Sequence, residues 1–180
     1  RRVAIVSNSD ALTLLALDTM AGCGLEVAGE PQNLRPDATA SDFGLALSEV
    51  FSDDKVDSVV VIYTPPVQSN GGEIAQVLAA AAADSDKPVV STFLASRSVP
   101  EALRVPDEDG GAARGSIPSF LNPQYAVGAL AKATQYGEWR RRSDSRIPDL
   151  PDIDTAGAED FVADFLQRHP SGADLDEEDR

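Results

Sequence analysis

The chain alternates short, continuous apolar runs with longer stretches in which apolar positions recur every three or four residues. Val3-Ala4-Ile5-Val6 is the first run, the mark of a strand covered on both faces. Ser9 and Asp10 then offer N-caps, Leu12, Leu15, Leu17 and Met20 follow at helical spacing, and Gly22 and Gly24 stop the helix. Leu25-Glu26-Val27-Ala28 reads as a second strand, and Ser41 or Asp42 caps a helix carrying Phe43, Leu45, Leu47, Val50 and Phe51. The strongest strand is Ser58-Val59-Val60-Val61-Ile62-Tyr63, β-branched nearly throughout and ended by Thr64-Pro65-Pro66. Asn70-Gly71-Gly72-Glu73 opens the next helix with the elements of a capping box, and Ala75 to Ala83 continues it. Pro88 to Phe93 is a fourth strand and Ile117 to Phe120 a short fifth. Asn122-Pro123 supplies an N-cap and N1 proline for a helix to Tyr136.

Strands that alternate with helices of about 10–15 residues imply right-handed crossovers and a parallel sheet. The pattern predicts a flavodoxin-like α/β three-layer sandwich over residues 1–139, with a parallel five-stranded sheet in the order 2-1-3-4-5. Arg104 to Ser116 reads as a polar, glycine-rich surface loop. Residues 140–180 differ. Arg140 to Asp154 is charged and holds Pro148 and Pro151, as a linker would. Thr155 to Arg168 predicts one amphipathic helix with Phe161, Val162, Phe165 and Leu166 on one face, before an acidic end from Ala173. The chain opens on strand-like sequence without a methionine, so we expect a segment of a longer protein.

Composition narrows the partners. Thirty acids against fifteen Lys and Arg give a formal net charge of −15 among 180 residues, which repels a phosphate backbone and makes nucleic acid a poor partner. Arg140-Arg141-Arg142 is the one dense basic run and is expected to pair with acids of the tail or of a neighbouring domain. No run approaches the roughly 18 unbroken apolar residues of a membrane span, and no signal peptide is visible. The single cysteine, Cys23, excludes an internal disulfide and fits a reducing cytoplasm.

The expected ligand position in such a fold lies beyond the carboxyl ends of the strands. There Ser7, Asn8, Ser9 and Thr64 are candidate donors to a phosphate at a helix N-terminus, although simple capping explains the same residues. Asp10 sets a negative charge beside them, and the loop has no glycine for close backbone approach. His169, the only histidine, sits in the tail, far in sequence from any nucleophile. The chain has no phosphate-loop lysine motif, no GxGxxG after the first strand and no HExxH. We therefore assign no catalytic residue, metal ligand or cofactor to this chain.

The ordered segments RRVAIVSNSDALTLLALD, VDSVVVIYTPP, KPVVSTF and IPSFLNPQYAVGALAKATQYGEWRRR, with the helix through Ala75–Ala83 among them, resemble the second flavodoxin-like domain of ADP-forming acyl-CoA synthetases, relatives of succinyl-CoA synthetase. IPDLPDIDTAGAEDFVADFL looks like the connector into an ATP-grasp domain, which this chain does not contain. The resemblance implies a parent that uses ATP/ADP, Mg and CoA and passes a phosphoryl group from an acyl phosphate through a histidine of another domain. Sister flavodoxin-like and ATP-grasp domains are the implied partners, and this domain would offer a helix N-terminus to the phosphohistidine. Family members commonly carry a glycine-rich loop where this chain has Ser7-Asn8-Ser9-Asp10-Ala11, and an Asn-Pro-Val-Asp segment where it has Arg35-Pro36-Asp37. Those losses also fit a degenerate module of the kind fused to GNAT acetyltransferases in bacterial protein-lysine acetyltransferases, where the synthetase part senses acyl-CoA.

The expected function is thus that of a domain inactive alone, which packs against sister domains of an acyl-CoA synthetase (acetate–CoA ligase) type protein and borders its phosphate site. A scaffold module is the alternative, and an apolar patch left by a missing partner would allow a homodimer. A flavin-binding electron carrier is disfavoured, because the loop after the first strand lacks a Ser/Thr/Gly-rich phosphate cradle.

Overall fold

The structure, a computed structural model, describes residues 1–66, 71–94, 98–142 and 154–174. Arg1–Arg141 forms one compact unit and Arg142–Arg180 a second. In the first unit a parallel sheet is built from β1 (Arg2–Ser7), β2 (Glu26–Val27), β3 (Gln32–Asn33), β4 (Ser58–Tyr63), β5 (Val89–Phe93) and β6 (Ser119–Phe120). Four helices cover it: α1 (Asp10–Cys23), α2 (Ala40–Ser52), α3 (Gly72–Ala83) and α4 (Pro123–Arg141).

The period-2 alternation of the strands distributes the core between two layers. Val3 and Ile5 of β1, with Val60 and Ile62 of β4, pack under α1 and α4 against Ala16, Met20, Ala126, Val127 and Leu130. Ala4 and Val6, with Val59, Val61 and Tyr63, pack under α2 and α3 against Phe43, Leu47, Val50, Ile74 and Leu78. Every residue of β4 is buried, as expected of a central parallel strand.

The sheet runs β2-β1-β4-β5-β6, with β3 also paired to β1. This differs in detail from the expected 2-1-3-4-5, because the edge is broken. The chain pairs with the start of β1 at Glu26–Val27, turns through Gly29 (φ +71°) and Pro31, and rejoins its end at Gln32–Asn33. Proline lacks the N–H that would carry one continuous edge strand through the bend.

Several element ends also differ from expectation. The N-cap of α2 is Thr39 rather than Ser41 or Asp42; its hydroxyl accepts the Asp42 N–H while the Asp42 carboxylate takes the Thr39 N–H at 2.8 Å, a complete capping box. Hydrogen bonds from the Thr39 N–H and, second, from its hydroxyl hold the Asp42 carboxyl below its ordinary range. The N-cap of α3 is Gly71, and Asn70 lies outside the described residues. At φ +68°, with an added Cβ falling 2.9 Å from Tyr63 Cε1, position 71 accepts only glycine without strain. Helix α4 begins as expected, with Asn122 Oδ1 accepting the Tyr125 N–H at 2.9 Å, but it continues past Tyr136 and Trp139 to Arg141. Within the expected linker, 143–153 lie outside the described residues, as do 175–180 of the acidic end.

The glycine-rich loop before β6 is organised by its own hydrogen bonds. Asp107 Oδ1 accepts the Asp109 and Gly111 amides, and Ser116 Oγ closes the turn on Val105.

In the second unit, α5 spans Thr155–Arg168. Asp154 caps it by accepting the Gly157 N–H at 2.9 Å. Of its expected apolar face only Phe165 is buried, between the rings of Phe161 and His169; Phe161, Val162 and Leu166 are exposed.

Candidate functional site

The carboxyl ends of β1 and β4 lie side by side, with Ser7 opposite Ile62. Beyond them opens a pocket of about 370 Å³ lined by Asn8, Ser9, Asp10, Leu34, Pro36, Asp37, Thr64, Pro65 and Pro66. It stands where doubly wound sheets bind ligands.

Asn8 is buried and its side chain joins three loops. Oδ1 accepts the Thr64 N–H at 2.7 Å, and Nδ2 donates to the Thr64 carbonyl at 2.8 Å and the Pro36 carbonyl at 3.3 Å. The reason is local. Beyond Ile62, whose carbonyl accepts the Asn8 N–H at 3.3 Å, the Thr64 N–H turns to the Asn8 side chain, and Pro65 and Pro66 have no N–H to carry the ladder further. Ser7 lies beneath the pocket floor. Its Oγ accepts the Ser9 N–H at 3.0 Å and donates to the Ser9 carbonyl at 3.1 Å.

Ser9 is the N-cap residue of α1, but its side chain does not cap the helix. The Thr13 hydroxyl lies 3.0 Å from both the Ser9 carbonyl and Asn33 Oδ1. The hydroxyl donates to both acceptors in a three-centre hydrogen bond. Thr64 Oγ1 is buried without a hydrogen-bond partner.

Of the four expected phosphate donors, the structure thus brings Asn8, Ser9 and Thr64 to one pocket and places Ser7 under it. Ser7 and Asn8 are committed to internal hydrogen bonds. Leu34, Pro36 and Asp37 form the opposite wall; they belong to the Glu30 to Ala38 loop, which the fold places at the carboxyl ends of the strands, although none of them is among the expected donors. The departure at Arg35-Pro36-Asp37 was the available signal, yet nothing local says that this segment meets Asn8.

The electrostatics disfavour an anion. Among the described residues, Asp10 and Asp37 line the pocket and no lysine or arginine does. Arg35, the neighbouring cation, is turned to Asp37 at 3.1 Å and both are exposed. Asp10 and Asp37 are exposed, so each carboxylate about 4 Å from an anion costs it about 1 kcal/mol, against about 0.3–1 kcal/mol returned by a helix N-terminus. Two acids outweigh one helix end. With no glycine cradle and no cation, the lining does not suit the phosphates of a nucleotide.

Among the described residues, no group of three or more His, Cys, Asp or Glu is placed to hold a metal. Cys23 is half-buried at the end of α1 and His169 is exposed after α5. No helix among the described residues is long and apolar enough to cross a membrane.

No family model and no curated protein matches the chain. Solved structures do. PH0766 from Pyrococcus horikoshii OT3 is 21% identical with a TM-score of 0.60, over 73% of this chain and 34% of its own. The dinucleotide forming acetyl-coenzyme A synthetase 1 of Ca. Korarchaeum cryptofilum is 17% identical with a TM-score of 0.62, over 77% of this chain and 34% of its own in the apo form. In complex with phosphate and ADP the same synthetase gives 17% and 0.62, over 77% and 33%. The chain therefore spans about one third of the structures it matches, and what the likeness establishes is a shared fold: a parallel α/β domain that also occurs within an acetyl-coenzyme A synthetase.

Proposed function

We propose that this chain is a packing domain of an acyl-CoA synthetase-like protein, inactive alone, whose pocket at the end of β1 no longer handles phosphate. The fold shared with part of an acetyl-coenzyme A synthetase supports the parent class, as does the order of segments along the sequence. The observation that carries the loss of phosphate handling is the pocket itself: Ser7 and Asn8 are spent internally, and Asp10 and Asp37 line the wall without a cation. Sister flavodoxin-like and ATP-grasp domains remain the partners this reading requires, with ATP/ADP, Mg and CoA bound elsewhere in the parent.

The same acidic pocket is what a degenerate, acyl-CoA-sensing module would carry, and one titration separates the readings. Calorimetry of the chain with phosphate, ADP, ATP, CoA and acetyl-CoA is expected to give no saturable heat. Saturable phosphate or nucleotide binding that Ser9→Ala abolishes would overturn the loss of phosphate handling. Binding of acetyl-CoA alone would establish the sensing module instead.

A further inference from the structure

We propose that the outer face of α4 is a docking surface for an acidic amphipathic helix. Tyr125, Lys132, Tyr136 and Trp139 recur at i, i+7, i+11 and i+14, which at 100° per residue confines them to an arc of about 60°. Tyr125, Tyr136 and Trp139 are 63%, 59% and 64% exposed. The Tyr136 and Trp139 rings stack on each other at 5.7 Å, so they present one aromatic plate. Between Tyr125 and Lys132 the face drops to Gly128 and Ala129. A Cβ added at Gly128 would meet nothing within 4 Å, which leaves a notch for a side chain from a facing helix. The stripe is about 21 Å long at 1.5 Å per residue, the length of a four-turn helix.

Charge selects the occupant. Lys132 stands exposed within the stripe and Arg140 at its flank. The one acid of α4, Glu138, is turned to Arg1 at 3.2 Å. In a chain with twice as many acids as bases, this face is therefore locally cationic and aromatic. A second copy fits it poorly. Lys132 lies midway between Tyr125 and Trp139, so a two-fold antiparallel pairing of α4 with itself sets Lys132 against Lys132. A helix with a Leu or Phe ridge and Glu flanks fills the notch, covers the aromatic plate and neutralises Lys132 and Arg140 together. Of the homodimer that the sequence allows and an unlike, acidic partner, the charge of this face favours the second.

The proposal rests on the packing-domain reading and fails separately from it. Trp139 is the only tryptophan, so intrinsic fluorescence of the whole chain reports on this surface directly. The probes are a synthetic amphipathic helix with a Leu/Phe ridge and Glu flanks, and its twin with Lys in place of Glu. The Glu peptide is expected to shift Trp139 emission to the blue and saturate, with the Lys twin at least about tenfold weaker. Lys132→Glu with Arg140→Glu should invert that preference. Gly128→Leu should weaken the Glu peptide by about tenfold while the far-UV circular dichroism stays native. Equal binding of both peptides overturns the acidic preference and leaves the packing domain standing. Binding of neither, or self-association in sedimentation that Gly128→Leu abolishes, overturns the proposal. Nucleotide binding at the β1 pocket would instead overturn the loss of phosphate handling without touching the peptide result.

Discussion

The two helical layers have equally dry inner faces and different outer ones. The α2–α3 layer shows solvent Ser41, Asp42, Ser48, Glu49, Glu73 and Gln76, with Leu45 as its exposed large apolar side chain among the described residues. The α1–α4 layer exposes Leu14, Leu15, Tyr125, Tyr136 and Trp139. Exposed apolar side chains of this kind are not needed for folding, because the sheet is already covered beneath them. The asymmetry therefore concerns what each layer meets. One layer is finished against water, and the other is prepared for a partner.

The sharpest test of that division sets an inner residue of the finished layer against an outer residue of the other. Phe43 is fully buried, packs edge-on to Tyr63 at 5.8 Å and anchors α2 to β4. Phe43→Ala is expected to cost about 3–5 kcal/mol in urea unfolding, from lost transfer energy and the cavity left behind. Trp139→Ala should stay within about 0.5 kcal/mol. A loss above about 1.5 kcal/mol at Trp139 would make the aromatic stripe part of the folding core and break the comparison.

The next effect concerns how the layers end their helices. Lys87 reaches from the turn before β5 to the last carbonyls of α2, donating to Val50 at 3.3 Å, Phe51 at 2.8 Å and Asp53 at 2.7 Å. It satisfies acceptors the helix leaves open and meets its dipole. Lys87→Met is expected to lower stability by about 1–2 kcal/mol. Arg140→Met in the last turn of α4 should change it by less than about 0.5 kcal/mol. Equal losses at the two sites would mean that the cationic end of α4 is structural, which would weaken the case for an acidic partner there.

The finished layer was the easier to read. Of the five apolar positions expected on α2, Phe43, Leu47 and Val50 are buried, Phe51 is half-buried and Leu45 is exposed. In α1 the expected set Leu12, Leu15, Leu17 and Met20 divides: Met20 is buried, Leu12 and Leu17 are half-buried and Leu15 is exposed. The helix packs through Thr13, Ala16 and Met20, whose smaller members let it approach the sheet, and leaves Leu14 and Leu15 outside. The parallel sheet followed from the alternation of runs, whereas the broken edge turned on the bend at Gly29-Glu30-Pro31. The candidate site was legible only as a place. Asn8 meets Thr64 across 56 residues and Pro36 across 28, and no local pattern encodes such partners. Asp37 reaches the pocket by the same route, so its charge could not be weighed against the helix N-terminus until the loops were in position.

The smallest expected effect lies between the layers, at the amino end of the sheet. The Asp57 carboxylate takes the Arg2 guanidinium at 2.9 Å and the Arg2 backbone N–H at 2.9 Å. Chiefly through the guanidinium bond, this holds its carboxyl at about 2, down from 3.8. A folded-state value below the unfolded one means that the native chain binds fewer protons in that window. The stabilisation is complete above about pH 4, declines as pH falls towards about 2, and is absent below. The Arg2 and Asp57 side chains are 43% and 32% exposed, so solvent and salt screen much of the charge interaction. The melting temperature of Asp57→Asn should therefore sit slightly below that of the unaltered chain at about pH 6. The gap should close by about pH 2 and narrow in about 1 M salt. A gap constant across that range would assign the role of Asp57 to the neutral hydrogen bond from the Arg2 amide. The sheet would then owe nothing to charge at this end, leaving the outer face of α4 as the region where electrostatics matters most.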